Sequence, residues 1–294
     1  MDWDDLRVFL TVARSESLSG AGKALRLDPA TVGRRVARLE ETLSLRLFAK
    51  SPQGYALTED GARLLAHVER AETAVSAAQD DLRGTTGGLT GPIRLGAPDG
   101  CATYLLPQVL ASIADENPGL DVQIVALPRV FNLSRREADM AIGVSRPEAG
   151  RLTVQRIADY RLHLAASHRY LASHGTPATR HDLKSHRIVG YIPDMIFDKE
   201  LDYLTDLGLG RVQLASNSVP VQLNWLRAGA GVGMVHAFAM PFAPELVAVL
   251  PEITLTRAFW LIRHEDDARS ARLNRFAEAL VAGLRAEVAR LEAA

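Results

Sequence analysis

One short stretch of the sequence brings positively charged and hydroxyl side chains together at helical spacing: residues 28–40, DPATVGRRVARLE. Its polar residues recur at spacings of three, one and three and would share one helix face: Thr31, Arg34, Arg35 and Arg38. Arginine pairs with guanine edges and with phosphate, so this face could enter a DNA major groove. The alternative is a solvated basic face on an ordinary surface helix, and the stretch taken alone favours that alternative.

The neighbouring residues supply the elements that would position this face. Asp28 is a good N-cap, and Pro29 suits the first helical position. An apolar stripe at spacings of four, three and four predicts that the helix buries its other side: Val32, Val36, Leu39 and Leu43. A helix over about residues 3–14 and a short helix through Leu25, capped by Ser17 or Ser19, precede it. Two helices, a tight turn and a basic helix predict a helix-turn-helix.

The segment after the basic helix predicts a small hairpin. Leu45, Leu47 and Ala49 alternate with polar residues, residues 52–54 form a turn, and Tyr55 and Leu57 alternate again. The hairpin would form a two-stranded wing beside the helix-turn-helix. Three polar residues near its tip could contact phosphate or the minor groove, or could be plainly solvated: Lys50, Ser51 and Gln53.

A long helix follows, from a Thr58 cap to about Arg83, with Gly84 as its stop. Apolar residues recur in heptad fashion along it: Leu64, Val68, Ala71, Val75, Ala78 and Leu82. This narrow seam favours pairing with a second helix, most simply that of another copy of the chain. The alternative is packing against its own domain. Residues 84–88, GTTGG, then predict a flexible hinge.

Composition sets the outer limits. A chain of 294 residues is too long for one small core, so two or three domains are expected. The net charge of −1 shows no overall basicity, so any DNA contact must come from local clustering. No apolar run is long enough to span a membrane, and the acidic start of the chain does not resemble a signal peptide. The single cysteine, Cys101, excludes an intrachain disulfide and fits a reducing cytoplasm.

Beyond the hinge the sequence alternates strands and helices, which predicts α/β layers with parallel strands. The predicted strands lie at 93–97, 120–127, 139–144, 162–166, 212–215, 232–235 and 259–263. The predicted helices lie at 104–116, 199–207, 219–228 and along the chain end through Leu291. Three glycines between the last two of these helices, Gly229, Gly231 and Gly233, follow a helix and enter a strand. A dinucleotide site has the reverse order, so helix termination is the better interpretation.

Residues 1–60 resemble the winged helix-turn-helix of LysR-type transcriptional regulators, through LRVFLTVARSESLSGAGKAL, TVGRRVARLEETLSLRLFAK and GYALTEDG. Two departures leave base preference open: Leu27-Asp28-Pro29-Ala30 replaces the family's usual Ser-Gln-Pro turn, and Gly33 replaces a common serine. The resemblance implies an α+β multi-domain protein with a DNA-binding domain at 1–60 and a linker and dimerisation helix with hinge at 59–88. RLGAPDG, LLPQVLASIADENPGLDV and EADMAIGV imply an effector domain at 89–294, of two α/β subdomains similar to type 2 periplasmic binding proteins.

Ligands of α/β sheets bind outside the carboxyl ends of strands, near helix N-termini. Four loops there are candidate effector contacts: Pro98, Asp99, Gly100, Cys101 and Thr103; Pro128 and Arg129; Gly143 and Val144; Asn217 and Ser218. Free amides at 100–103 and 218–221 would suit an anion, whereas Asp99 opposes one unless it pairs with Arg129 or binds an amine. His236 is a further candidate, although packing or capping explains it better, and residues 191–193 could supply an apolar wall.

Enzyme chemistry is weakly represented. The eight histidines include no HExxH motif, and no GxSxG motif occurs. Cys101 could be a reactive thiol at a helix N-terminus, but without a resolving cysteine a pocket-lining role is preferred. The sequence therefore predicts a cytoplasmic, homo-oligomeric DNA-binding regulator that senses a small molecule, without a cofactor or metal. The resemblance suggests a tetramer built from dimers, with RNA polymerase a further candidate partner. The alternative is a ligand-binding or oligomerisation protein that has lost its DNA role.

Overall fold

The computed structural model describes residues 2–51, 54–82, 88–126, 138–147, 150–209 and 211–293. The chain divides into two compact units, one of Met1–Gly84 with Arg269–Ala271, the other of Thr85–Ala268 with Arg272–Ala294. This division falls within four residues of the boundary predicted at residue 88. The hinge predicted at 84–88 falls almost wholly outside the described residues.

The first unit is a winged helix-turn-helix followed by a long helix. Its elements are α1 (Trp3–Ser15), α2 (Leu18–Leu25), α3 (Pro29–Leu43), β1 (Phe48–Ser51), β2 (Gly54–Leu57) and α4 (Glu59–Leu82). The turn between α2 and α3 is closed by a hydrogen bond from Leu27 N to the Gly22 carbonyl, 2.9 Å. Phe9, Val32 and Leu39 are among the buried residues of its core.

The wing begins three residues later than predicted. Glu40 of α3 accepts hydrogen bonds from the backbone amides of Leu47 (2.7 Å) and Phe48 (3.2 Å). The chain before Phe48 is therefore held by α3 and does not pair as a strand. From Phe48 onward β1 and β2 are antiparallel, with Phe48 opposite Leu57 and Ser51 opposite Gly54.

The second unit holds the α/β domain. Its strands are β3 (Thr90–Ala97), β4 (Gly119–Ala126), β5 (Met140–Gly143), β6 (Leu152–Ser167), β7 (Ile188–Gly190), β8 (Leu214–Ala215), β9 (Val232–His236), β10 (Leu246–Ala248) and β11 (Thr254–His264). Its helices are α5 (Asp99–Tyr104), α6 (Leu106–Glu116), α7 (His168–His174), α8 (Val219–Arg227) and α9 (Ala271–Glu292). Six apolar residues of α9 are all buried against the sheet core, as the sequence pattern predicts: Leu273, Phe276, Leu280, Leu284, Val288 and Leu291.

The described strands of this unit form one nine-stranded sheet, in the order β4-β3-β5-β11-β6-β9-β7-β8, with β10 beside β6. Two parallel groups flank a central antiparallel pair: β3 is parallel to β4 and β5, and β7 is parallel to β8 and β9. The long strands β6 and β11 pair antiparallel from Thr254 opposite His163 to His264 opposite Leu152. Two α/β subdomains joined by crossover strands, as the resemblance implies, are thus confirmed.

The sequence-based boundaries are wrong for five elements. β6 has 16 residues and β11 has 11, against five predicted for each, and β8 has only two. The helix predicted at 104–116 is split at Leu105 into α5 and α6, because Pro107 lacks the N–H that a continuous helix needs.

The fifth error is the helix predicted at 199–207. The structure has two single 3-10 turns, Lys199–Leu201 and Thr205–Leu207. Asp198 accepts from the amide of Glu200 (3.0 Å) and Asp202 from the amide of Thr205 (3.2 Å). Such local bonds from aspartate to nearby amides compete with a continuous helix.

The glycine run after α8 terminates the helix and allows close strand packing, as its order in the sequence indicates. Gly229 has φ +74°, and its amide donates to the Leu226 carbonyl at 2.9 Å. A Cβ at Gly231 would lie 2.4 Å from the Arg187 carbonyl oxygen, so only glycine fits beside that strand.

Two helical glycines of the first unit are expected to respond oppositely to alanine. A Cβ at Gly33 would meet only the Leu18 side chain at 3.4 Å, so Gly33→Ala should stabilise the unit by about 0.5–1 kcal/mol through lower backbone entropy. A Cβ at Gly61 would lie 2.1 Å from the Leu47 carbonyl oxygen, so Gly61→Ala should cost about 1–3 kcal/mol. Urea unfolding of the two variants measures both signs, and a shift in the same direction would contradict the close packing of α4 against the backbone at Leu47.

Candidate functional site

The first residues of α3 are fixed as the sequence indicates. Asp28 accepts a hydrogen bond from the amide of Ala30 at 2.8 Å, and Pro29 is the first helical residue. Val32, Val36 and Leu39 are buried, with exposed fractions of 0, 5 and 1%. The helix is therefore anchored along one stripe, and its polar stripe lies on another side.

Arg34 and Thr31 form the part of that polar stripe that has no carboxylate partner among the described residues. Arg34 is exposed, and its Nη2 donates to Thr31 Oγ1 at 3.0 Å. No described carboxylate pairs with the Arg34 guanidinium. Its remaining N–H donors can therefore bind a nucleic acid without first breaking an ion pair.

Arg35 and Arg38 are already engaged within the protein. Arg38 donates twice to the carboxylate of Asp5 on α1, from Nε at 2.7 Å and from Nη2. Arg35 Nη1 lies 3.8 Å from Asp4 Oδ2 and 4.0 Å from Asp5 Oδ1. The hydrogen bonds from Arg38 hold the pKa of Asp5 below its ordinary value, against the effect of burial. These two arginines therefore tie α3 to α1.

The remaining predicted DNA contacts are only partly described. Ser19 is exposed in the first turn of α2, whose N-cap is Ser17, which accepts from the amide of Gly20 at 3.2 Å. The backbone of Lys50 pairs with Tyr55 in the wing, while its side chain is not described. Gln53 lies outside the described residues.

We expect the bond between Arg38 and Asp5 to stabilise the first unit in a pH-dependent way. The folded pKa of Asp5 is depressed, so the stabilisation is present above its ordinary pKa of 3.8 and is lost as pH falls through the folded value. Arg38→Gln should lower the thermal midpoint at pH 7 and have progressively less effect below pH 3.8. Thermal unfolding followed by circular dichroism measures this, with exposed Arg34→Gln as the matched control. An equal loss at both ends of the pH range would contradict the ion pair.

In the α/β domain the candidate loops converge at the carboxyl ends of the strands. Asp99, after β3, accepts a hydrogen bond from the amide of Val219, at the start of α8, at 2.9 Å. The hydroxyl of Ser145, just after β5, donates a hydrogen bond to the carboxylate of Asp198, which lies beyond β7. The first bond brings two of the four predicted loops together, those at 98–103 and 217–218. The second joins the predicted loop after β5 to Asp198, which lies outside the four predicted loops. The fourth, with Pro128 and Arg129, lies outside the described residues.

The amides at the start of α8 are largely used, so the prediction of free donors at 218–221 is wrong for the first three positions. Ser218 N donates to Ser216 Oγ at 3.1 Å, Val219 N donates to Asp99, and Pro220 has no N–H. The Asp99 carboxylate thus stands where the sequence suggested an anionic ligand. Burial raises the pKa of Asp99, and the hydrogen bonds from Ser218 and Val219 oppose that rise.

The other loop candidates divide into packed and accessible residues. Cys101 and Val144 are 1% and 6% exposed and belong to the hydrophobic core, so Cys101 lines neither described cavity. Burial raises the pKa of the Cys101 thiol strongly, which does not suit a reactive thiolate. Four residues are half-buried and one is exposed: Pro98, Gly143, Asn217 and Ser218, then Thr103.

Two of the glycine and proline positions serve packing. A Cβ at Gly100 would meet Val219 Cγ1 at 3.3 Å, and a Cβ at Gly143 would meet Ile262 Cδ1 at 2.7 Å. Pro98 is the residue before α5 and offers no side-chain cap. Gly100 therefore allows α5 and α8 to approach, and Gly143 lets the end of β5 pack on β11.

His236, at the end of β9, belongs to a buried aromatic cluster. Its ring centroid lies 5.5 Å from that of Tyr160, 6.1 Å from that of Tyr203 and 5.0 Å from that of Phe238. Burial lowers the pKa of His236 to about 4, so the imidazole is neutral at pH 7. His236 Nδ1 and the hydroxyls of Tyr160 and Tyr203 are buried without a hydrogen-bond partner. This cluster is packed, as expected for His236, but its polar atoms are not satisfied.

Beside this cluster the second subdomain contains a cavity of about 160 Å³. It is lined by residues from the end of β7, from the segment 193–209, by Val212, and by residues of α8 and β9, and Tyr191 and Pro193 lie on its wall. A smaller space of about 10 Å³ reaches Val219 and His236 and shares Tyr203, Gln222 and Met234 with it. Tyr160, Tyr203 and Gln222 are absent from the sequence-based candidates. Only the position of Gln222, one turn inside a helix at a strand's carboxyl edge, gave a usable signal.

We expect His236 to make the α/β domain less stable between pH 6.5 and 4. Its folded pKa is lowered, so the unfolded chain binds more protons in this range and stability falls as pH decreases. His236→Gln should flatten that part of the profile, whereas exposed His168→Gln should leave it unchanged. Urea midpoints at pH 7.0, 5.5 and 4.5 provide the comparison, and an unchanged slope in His236→Gln would contradict a buried neutral imidazole.

Neither a metal site nor a helix that could span a membrane occurs among the described residues. No group of three or more histidine, cysteine, aspartate or glutamate side chains could hold a metal ion there. No helix among those residues is long and apolar enough to cross a membrane.

A winged helix-turn-helix followed by an α/β domain with a ligand-sized cavity is the architecture of a DNA-binding regulator with a sensor domain. Family models match both parts, the "Bacterial regulatory helix-turn-helix protein, lysR family" over residues 3–62 and the "LysR substrate binding domain" over residues 86–285. The chain belongs to the LysR family of transcriptional regulators. Its curated relatives CrgA and TtdR are named as a transcriptional regulator and a transcriptional activator.

Curated relatives include the activator TtdR of Escherichia coli, 27% identical over 292 residues, or 95% of this chain and 92% of TtdR. The regulator CrgA of Neisseria meningitidis is 28% identical over 188 residues, or 64% of this chain and 63% of CrgA. This alignment therefore spans slightly less than two thirds of CrgA, whereas the alignment with TtdR spans nearly the whole protein.

Solved structures show the same fold. CrgA of Neisseria meningitidis is 24% identical with a TM-score of 0.58, covering 97% of this chain and 99% of CrgA. A full-length OxyR variant of Pseudomonas aeruginosa is 17% identical with a TM-score of 0.71, covering 97% and 98%. LysG of Corynebacterium glutamicum, solved with bound effector arginine, is 20% identical with a TM-score of 0.63, covering 97% and 98%.

Proposed function

We propose that this chain regulates transcription by placing α3 in the major groove of promoter DNA, with Arg34 and Thr31 as its leading contacts. The observation that carries this is the exposed Arg34 guanidinium, which has a hydroxyl partner but no described carboxylate. Arg35 and Arg38 fix the angle of α3 against α1 and present their remaining donors to phosphate. Ser19, Lys50 and Gln53 are secondary contacts, suited to the sugar-phosphate backbone.

The pairing of two copies through α4 is a second part of the proposal. Leu64 packs against the core of its own unit and Val68 is 3% exposed, so the first half of the heptad seam is used internally. Val75 is 46% exposed and Ala78 is also exposed. An apolar strip at the far half of a helix favours a partner helix, and a second copy of α4 supplies the same pattern. Two such dimers would form the tetramer suggested by the family.

The α/β domain then acts as the sensor in the cytoplasm, where promoter DNA is available. LysG carries an arginine effector in a domain of the same fold, which supports a small-molecule ligand for this chain. A ligand that prefers one arrangement of the two subdomains would shift the spacing of the paired DNA-binding units. Contact with RNA polymerase is a further part of this proposal.

We expect Arg34→Ala to weaken binding to specific DNA by about five- to 150-fold, which corresponds to about 1–3 kcal/mol for one good base contact. Fluorescence anisotropy with the DNA upstream of this chain's own coding sequence, at two salt concentrations, measures the loss. Arg169→Ala, which removes an exposed arginine from the second unit, is the matched control and should bind normally.

Two results would separate the roles of the arginines. Arg34→Ala should lose affinity with an unchanged thermal midpoint, whereas Arg38→Ala should lose both affinity and stability. Full binding by Arg34→Ala would overturn its assignment as a leading contact. If the wild-type protein showed no DNA binding even at low salt, the regulator proposal itself would be overturned.

A further inference from the structure

The cavity of the second subdomain has the size of a single ring. Its volume is about 160 Å³, and an engineered apolar cavity of about 150 Å³ in another protein is sufficient to bind benzene. Leu201, Leu204, Leu209 and Met234 give it apolar walls. A ring-sized guest would therefore displace little protein and would bury nearly all of its own surface.

Its inner end carries polar atoms that lack partners. Tyr203 lies on the wall of both connected spaces and is 4% exposed, and its hydroxyl has no hydrogen-bond partner. His236 Nδ1, on the wall of the smaller space, is also unpartnered, and so is the hydroxyl of Tyr160 behind it. The hydroxyls of Tyr160 and Tyr203 lie close enough to interact with each other, but neither has a partner with good hydrogen-bond geometry. Buried polar atoms in this state are costly, and a guest hydroxyl could satisfy them.

The charges around the cavity oppose an anion. Asp202 is the one charged residue on its wall among the described residues, and Asp99 lies beyond Val219. Arg257 of β11 is already held by Glu200, because its Nε lies 2.8 Å from the Glu200 carboxylate and donates to the Glu200 carbonyl at 3.1 Å. A buried carboxylate without a free cationic partner would be expensive, and the α8 amides that could have replaced one are occupied.

We propose that this cavity binds an uncharged, ring-sized molecule bearing a hydroxyl group, whose hydroxyl bonds to Tyr203 and His236. This inference rests on the proposed sensor function and names the chemical class of its ligand. It moves the ligand from the loop amides around 218–221 to the interior of the second subdomain. Recognition there depends on neutral hydrogen bonds and apolar contact rather than on ion pairing.

A bound molecule in the cavity could affect the other subdomain through the segment that covers the cavity. Residues 193–209 form this cover, and Asp198 within it accepts the hydroxyl proton of Ser145 after β5. Glu200 in the same cover is bound to Arg257 of β11. A guest that lifts or tightens the cover therefore acts on the end of β5 and on the crossover strand together.

The test uses the full chain and four ring compounds of similar size at pH 7.5: phenol, toluene, benzoate and benzylamine. Isothermal titration calorimetry should show phenol binding at least fivefold more tightly than toluene, with no measurable binding of benzoate or benzylamine. Preference for benzoate or benzylamine would overturn the neutral class. Failure of all four to bind would overturn the cavity as a ligand site.

Two variants locate the binding. Tyr203→Phe keeps the ring and removes the hydroxyl, so the advantage of phenol over toluene should shrink by about two- to tenfold. Tyr55→Phe, in the first unit, is the matched control and should leave it unchanged. Val212→Phe should fill the cavity and abolish binding of both compounds, with folding checked by circular dichroism. Retention of the phenol preference in Tyr203→Phe would overturn the assigned contact even if Val212→Phe did not fold.

The same preparations should be assayed for DNA binding, so that the two proposals can fail separately. Normal DNA binding without phenol binding would overturn only the ligand class. Selective phenol binding without any DNA binding would uphold the cavity and overturn the regulator function on which its sensing role rests.

Discussion

The antiparallel pairing of β6 with β11 is the constraint on which the α/β domain depends. The two strands pair over the whole of β11, from Thr254 to His264, and each half of the domain adds its parallel strands to one side of that pair. β5 pairs with β11, and β9 pairs with β6. The strands of both subdomains are therefore hydrogen-bonded to the same central pair, which supports both the cavity and the loops that meet at Asp99 and Val219.

Two aspartate carboxylates bind groups within the protein itself. The carboxylate of Asp99 caps α8 across the subdomain boundary, and the carboxylate of Asp5 receives the Arg38 side chain across the boundary between α1 and α3. In both places an aspartate stands where an external anion could have bound. Fewer arginine donors of α3 are therefore free for DNA than its three arginines suggest, because Arg38 is bonded to Asp5. Likewise, the amide of Val219 is not available to a ligand, because it donates to Asp99.

Local signals in the sequence were sufficient for the first unit. The cap at Asp28, the apolar stripe of α3 and the hairpin all depend on neighbouring residues, and the structure confirms them. What sequence pattern could not supply was pairing over distance. Helical spacing places Arg38 on a face, but its partner lies 33 residues away, and Asp99 and Val219 are 120 apart. Tyr160 and Tyr203 were missed because one lies in a strand longer than its apolar pattern and the other in a segment whose aspartates break a predicted helix.

The packing of α4 has a mechanical consequence. Its first half is fastened to the DNA-binding core by Leu64 and Val68, and Glu72 pairs with Arg14 of α1 at 2.6 Å. Up to Glu72, α4 is packed on the core of the first unit. Only the exposed apolar residues beyond it, Val75 and Ala78, are available for a partner helix. Of the 24 residues of α4, those at 73–82 lie beyond Glu72, and at about 1.5 Å per residue this free end is about 15 Å long. In the proposed pair, a small rotation of this free end would therefore turn α3 by the same angle, because α4 and the DNA-binding core move together.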